Sequence, residues 1–315
     1  MQNPPVLTRI IDQINGSMPG PWIIVVAGIY GNEMASVKAL ENLMKFIKLN
    51  EKNFKGQFLA LRGNLTALKH HMRYIDEDMN RLWHMDVIQQ IRQTPKQEIF
   101  SFERREIKAL FSIIDNFLPR QISENQPIVF IDLHSSSSNS TMFGITNPNQ
   151  KNIELFSGLN IPLIMDTENH LQGTAFAYYQ QQGFTSVTIE GGGSTNSIME
   201  TNISTVMLSI LEKLECIPAS ILKESKQQNQ SFNKQSIPLP NALKIMYKHP
   251  TTRKDDFVMK PGYKSLQKIK KNEFLAKDRE GVILSPMEGY ILLPRYESQG
   301  TEGFFIAQEL NQEHQ

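Results

Sequence analysis

Four side chains sit just past short apolar runs, where a polypeptide can bring chemistry together. Tyr30 and Glu33 follow the run at residues 22–27, His134 follows 128–133, and Glu190 closes 185–190. Two carboxylates, an imidazole and a phenol meeting in one crevice would be equipped for metal-assisted or general acid–base chemistry. A catalytic zinc takes three protein ligands and an open position for water, and a separate carboxylate must accept that water's proton. Each residue also has a structural reading. His134 can be a capping or hydrogen-bonding group, Glu33 suits the first turn of a helix through its dipole, and Glu190, before three glycines, can be a turn residue. Arg73 and Arg81 can be solvated charges. The serines at 135–138 lack the G-x-S-x-G elbow of a serine nucleophile, and the glycines at 191–193 lack the continuation of a phosphate cradle.

The elements that must position these groups follow from the hydrophobic pattern. Residues 22–33, WIIVVAGIYGNE, read as a buried strand ending at Gly28, then a turn. Met34, Val37, Leu40, Leu43, Met44 and Ile47 have helical spacing, so the turn opens a helix. Open α/β sheets place ligand sites at such carboxyl ends of strands. Further strands are expected at residues 56–61, 128–133, 141–145, 161–165 and 185–190. Helices are expected from Phe102 to Pro119, around 151–159, at 174–182 and at 197–214. Residues 64–83, polar and dense in His and Arg, read as a long loop. The alternation predicts an α/β fold, a three-layer mixed sheet flanked by helices, over residues 1–222. Residues 223–236 are polar and read as a linker. Closely spaced turn signals over 237–315 predict a smaller C-terminal β-domain.

Composition bounds the class. Hydrophobic residues make up 40% and charged ones 21% of 315, and the net charge of +1 supplies no field for nucleic acid or an acidic membrane. The single cysteine, Cys216, excludes an internal disulfide or a cysteine-based zinc cluster. No basic segment followed by an apolar core opens the chain, and no apolar run approaches the roughly 20 residues of a membrane span. The expectation is a cytoplasmic protein acting on a small molecule, with neither nucleic acid nor membrane as partner. A homo-oligomer is compatible with the sequence.

An ordered set of motifs, G-I-Y-G-N-E (28–33), G-N-L-T-A (63–67), R-Y-I-D-E-D-M-N-R (73–81), D-L-H-S (132–135) and T-I-E-G-G (188–192), resembles the aspartoacylase/succinylglutamate desuccinylase family. These are zinc-dependent amide hydrolases related to the zinc carboxypeptidases. P-G-Y-K-S (261–265), S-P-M-E-G-Y (285–290) and Q-G-T-E-G-F-F (299–305) are similar to the family's C-terminal β-domain.

The resemblance implies one zinc ion held by Glu33, His134 and the position of Tyr30, where the family's H-G-N-E has histidine. It implies Glu190 as general base, Arg73 as oxyanion stabiliser, Asn80 and Arg81 as holders of a substrate carboxylate, and Asp78 as a brace for their loop. The implied activity is cleavage of the amide bond of a carboxylate-bearing N-acyl amino acid or similar small molecule. The alternative is a metal-free pseudoenzyme that binds a small carboxylate ligand. A phenol, with its ordinary pKa near 10, must lose a proton to bind metal well, so weaker zinc binding, a different metal or none is expected. His70 and His71 are candidate substitutes for the missing ligand. No arginine occurs between Arg120 and Arg253, where aspartoacylase carries one before its catalytic Glu, so N-acetylaspartate is not the expected substrate. Tyr263, Tyr290 and Tyr296 are the candidate substrate contacts from the C-terminal part.

Overall fold

A computed structural model describes residues 7–121, 126–135, 140–222 and 240–310. The chain first alternates strands and helices: β1 (Ile10–Asn15), β2 (Met18–Ala27), α1 (Met34–Leu49), β3 (Lys55–Arg62), α2 (Leu65–His70), α3 (Met85–Gln93) and α4 (Phe102–Phe117). It continues through β4 (Ile128–His134), β5 (Phe143–Ile145), α5 (Gln150–Phe156), β6 (Leu163–Met165), α6 (Ala175–Gln181), β7 (Thr185–Glu190) and α7 (Asn196–Lys213). Beyond residue 240 come β8 (Ala242–Pro250), β9 (Val258–Met259), β10 (Gln267–Ile269), β11 (Phe274–Asp278), β12 (Gly281–Leu284), β13 (Gly289–Leu292) and β14 (Glu302–Glu309).

The expected mixed sheet with flanking helices and a C-terminal β-rich part is present. Its order is β1-β3-β2-β4-β7-β5-β6-β8-β14-β13-β10, with β9, β11 and β12 forming a separate three-stranded sheet. Strands β3, β2, β4 and β7 run parallel to one another, and β5 turns the direction by pairing antiparallel with β7. Alternation along β2 divides the core. Ile23, Val25 and Ala27 face α1 and α7, while Ile24 and Val26 face α3, α4 and α6. Such fully buried aliphatic side chains each stabilise the fold by about 1.5–3 kcal/mol, which makes the central strands the rigid base of everything at their ends. The buried thiol of Cys216 belongs to the first of these cores and is pushed up to about 12 by burial, so it is a packing residue.

One expectation changes. The long loop at 64–83 holds a helix, α2, whose first turn is capped by Asn64 Oδ1 accepting from Ala67 N at 2.9 Å. It also holds a 3-10 turn at Met79–Arg81, capped by Asp78. Both are too short for a periodic apolar signal, and only the caps mark them. The C-terminal strands also continue the main sheet, because β8 pairs parallel with β6. The linker expected at 223–236 lies outside the described residues.

The turn after β2 is pressed against α2. A Cβ on Gly31 would lie 2.0 Å from the carbonyl carbon of Ala67 and 2.1 Å from its oxygen, and Gly31 N–H donates to Arg73 O at 3.2 Å. Only glycine lets the two backbones approach this closely. Gly31→Ala is therefore expected to cost about 1–3 kcal/mol through overpacking, read as a lower midpoint in urea unfolding. An unchanged midpoint would mean that the turn can withdraw from α2 freely.

Candidate functional site

Parallel pairing sets the site. Ala27 lies opposite Leu133 across β2 and β4, and His134 lies opposite Glu190 across β4 and β7. The residues leaving these three adjacent strands therefore emerge together. They line a cavity of about 120 Å³ to which Tyr30, Glu33, Arg73, Asn80, Arg81, His134 and Glu190 all contribute. These seven residues, singled out for catalysis, substrate or metal, thus face one space. Asp78, singled out as the brace, receives the Tyr30 hydroxyl beside it.

An ionic chain crosses the floor. His134 Nδ1 is 2.9 Å from Glu33 Oε2, and His134 Nε2 is 2.9 Å from Asp132 Oδ2. Ser135 N–H donates to the same Glu33 oxygen at 3.1 Å. A ring nitrogen facing a carboxylate on each side is satisfied only if both nitrogens carry protons. Burial opposes that charge, but Asp132 and Glu33 outweigh it and hold His134 well above its usual 6.5. Glu190, buried beside this chain, is raised to about 7, chiefly by desolvation, with His134 pulling the other way and Glu33 and Asp132 adding to the rise. Near neutral pH it is thus poised between acid and base.

Tyr30 is tied elsewhere. Its hydroxyl donates to Asp78 Oδ1 at 2.9 Å, and the Arg73 guanidinium lies 3.5 Å over its ring. Burial pushes the phenol well above its usual 10, more than Arg73 lowers it, so the group is neutral and a hydrogen-bond donor. The zinc implied by the resemblance needs three deprotonated donors. This arrangement offers one carboxylate and one imidazole, turned on each other, and a phenol held on Asp78. Among the described residues, no group of three His, Cys, Asp or Glu side chains is placed to hold a metal ion. The residues present do not fit the three-ligand group.

The outer wall comes from the C-terminal part. Arg81 Nε and Nη2 donate to the two oxygens of Glu302 at 2.8 and 3.0 Å. Arg73 lies 3.6 Å from both Asp78 and Glu297. Asn80 is engaged as well, with Nδ2 on Asp132 Oδ2 at 3.3 Å and Oδ1 accepting from Ala175 N at 2.8 Å. Arg295 and Tyr296 also line the cavity. Of the three tyrosines considered, Tyr296 is the one at the cavity. Tyr263 is turned to Glu273, and Tyr290 to Glu309. His70 and His71 are exposed at the end of α2 and do not line the cavity, so neither stands in for the missing ligand. A further residue that the sequence reading passed over is Glu103. Fully buried, it accepts from the backbone N–H groups of Ile75, Asp76 and Glu77 at 2.8–3.2 Å and from Asn64 Nδ2 at 3.0 Å. It thereby pins the loop that carries Arg73, Asp78 and Asn80. Its signal was a carboxylate on the apolar stripe of α4, in line with Ile107, Leu110 and Ile114.

Comparison with known proteins places the chain in a family. Over 236 residues the chain is 27% identical to a succinylglutamate desuccinylase of Shewanella frigidimarina, covering 67% of this chain and 65% of that protein. Over 148 residues it is 32% identical to an N-acyl-aromatic-L-amino acid amidohydrolase (carboxylate-forming) of Xenopus laevis, covering 47% of this chain and 42% of that one. The chain thus matches less than two thirds of the length of either relative. Among solved structures, a succinylglutamate desuccinylase/aspartoacylase from Rhodobacter sphaeroides superposes with a TM-score of 0.68 at 13% identity, covering 96% of this chain and 88% of that one. Murine aminoacylase 3 gives 0.58 at 15%, covering 94% and 97%. At such identities these structures speak for the fold. The family model of the succinylglutamate desuccinylase/aspartoacylase catalytic domain matches residues 19–216, and the chain belongs to that family.

Proposed function

We propose that this protein hydrolyses the amide bond of an N-acyl amino acid, or a similar carboxylate-bearing small molecule, with Glu190 as the general base. The observation that carries the proposal is the meeting of Glu190 with Glu33, His134 and Arg73 in one cavity at the ends of three adjacent strands. A base raised to about 7 is matched to taking a proton from water at neutral pH and returning it to the leaving amine. Arg73 faces the same space, a cation placed for the oxyanion that develops on the amide carbonyl. Ile145, Leu171, Phe176 and Phe305 give the cavity an apolar wall suited to an acyl group or an aromatic side chain. The amidohydrolase relative that acts on N-acyl-aromatic amino acids is in keeping with that wall. Within the proposal, residues 1–222 are the catalytic part, 223–236 the linker and 237–315 the part that closes the cavity.

Zinc binding is weak in this reading, because His134 must shed a proton and leave a carboxylate before it can join Glu33 as a ligand, and Tyr30 is held by Asp78. The second reading, a metal-free protein that binds a small carboxylate ligand, is favoured by the Tyr30–Asp78 hydrogen bond and by the clasp of His134 between two carboxylates.

Assays on a panel of N-acyl amino acids test the main reading. Glu190→Gln is expected to lower kcat/KM by about 10²–10⁴, the usual worth of a general base. Because the base works deprotonated, activity of the parent protein should rise with pH through about 7 and be lost as pH falls below it. A profile flat across that window, or a Glu190→Gln variant with parental activity, would remove Glu190 from the reaction. Metal analysis after dialysis tests the place of zinc. The parent should keep well below one equivalent, while Tyr30→His should keep about one zinc per chain, the content of a three-ligand site. A full equivalent in the parent would contradict the weakened site. No hydrolysis by parent or Tyr30→His would leave the binding-protein reading.

A further inference from the structure

Three arginines line the cavity, and they differ in what already holds them. Arg81 gives Nε and Nη2 to Glu302 at 2.8 and 3.0 Å and Nη1 to the Asn80 carbonyl at 2.7 Å. Both prongs that would take a ligand carboxylate are therefore occupied by a carboxylate of the chain itself. The pair is buried. Desolvation works against Glu302 ionising, but Arg81 outweighs it and holds Glu302 below its ordinary range. A second carboxylate brought to Arg81 would meet Glu302 as a buried like charge. Arg73 lies between Asp78 and Glu297.

Arg295 is different. It donates Nε to the Glu302 carbonyl at 3.0 Å, Nη1 to the Glu297 carbonyl at 2.8 Å and Nη2 to Thr251 Oγ1 at 2.9 Å. All three acceptors are neutral, and Arg295 makes no ion pair within 4.0 Å among the described residues. A guanidinium has five N–H donors, so Nη1 and Nη2 each keep one hydrogen free. The three neutral bonds also fix the side chain, which lowers the entropy cost of receiving a ligand. Gly300, at φ +127°, leaves room for it, since a Cβ there would lie 2.9 Å from Arg295 Cδ. Burial, followed by the charge of Arg73, lowers the Arg295 pKa, as befits a cation crowded by another cation.

We infer that Arg295 receives the carboxylate of the small molecule bound in this cavity, and that Glu302 keeps Arg81 from that role. The inference rests on the proposed function only in that the ligand carries a carboxylate. It moves recognition from the loop at 73–81 to the C-terminal part. It also supplies a cationic partner for the substrate in a chain that has no arginine between Arg120 and Arg253.

The test compares N-acetyl-L-phenylalanine with its primary carboxamide, ligands of nearly equal shape that differ in charge. Binding to the full chain is measured by calorimetric titration in the Glu190→Gln background, which keeps the amide bond intact, and turnover is measured with Glu190 present. The acid should bind about tenfold or more tightly than the carboxamide, the worth of one charge-assisted pair. Arg295→Gln should bring the two affinities to within about twofold of each other. Glu302→Gln, which frees Arg81, should keep or enlarge the acid's advantage. A merely structural role for Arg295 would weaken both ligands together and leave their ratio intact, and that result overturns the inference. Arg295→Lys serves if Arg295→Gln does not fold. It keeps the cation and loses the fork, and it should reduce the ratio several-fold without erasing it. The inference also fails if Glu190→Gln protein shows no preference for the acid, or binds neither ligand, or if Arg81→Gln alone removes the preference. Absent turnover, with the acid preferred and that preference lost in Arg295→Gln, counts against hydrolysis and not against Arg295. Turnover with a ratio indifferent to Arg295 does the reverse.

Discussion

His134 stands between two carboxylates, Glu33 on Nδ1 and Asp132 on Nε2, and the cavity is arranged around that ionic chain. The chain joins the turn after β2 to the end of β4, and β4 is locked in register with β7, which delivers Glu190 opposite His134. Burying three ionisable groups together costs desolvation, and such clusters add less to stability than their short distances suggest. What they add here is position. The imidazole cannot turn without giving up its contact with a buried carboxylate. Glu190 is raised chiefly by its own burial beside this chain, with His134 opposing the rise and Glu33 and Asp132 adding to it.

The phenol at position 30 changes how charge is shared. A histidine at this position would be a third ligand beside Glu33 and His134, whereas Tyr30 turns to Asp78 and lies under Arg73. Arg73 is thereby held against an aromatic face as well as near two carboxylates, a contact worth up to about 2 kcal/mol when desolvated. Carboxylates from the C-terminal part complete the balance. Glu302 takes Arg81, Glu297 approaches Arg73, and Asn32 donates to Glu297 at 2.9 Å. The two parts of the chain are therefore joined across the cavity mouth by charge, and the cavity cannot be described from either part alone.

Much of this was legible in the sequence because it is local. The continuous apolar runs of β2, β4 and β7 mark strands buried on both faces, and the polar residues just past each run mark the site. Elements of three to six residues, such as α2 and the turn at Met79–Arg81, escaped because a cap is their only signature. The pairing of Arg81 with Glu302 spans 221 positions, and nothing near either residue announces the other. Glu103 was readable in principle as a charge on a buried helical stripe. Its acceptors' partners, three successive backbone N–H groups, emerge only once the loop is folded over α4.

The central claim is that residues from three strand ends, together with a wall from the C-terminal part, bind one small molecule for attack at its amide. The most direct measurement is a crystal structure of the full-length Glu190→Gln protein with an N-acyl amino acid bound. The account expects the amide carbon within reach of residue 190, its oxygen toward Arg73 and the carboxylate on Arg295. A ligand seated outside this cavity, or inside it with its amide turned away from residue 190, would contradict the account.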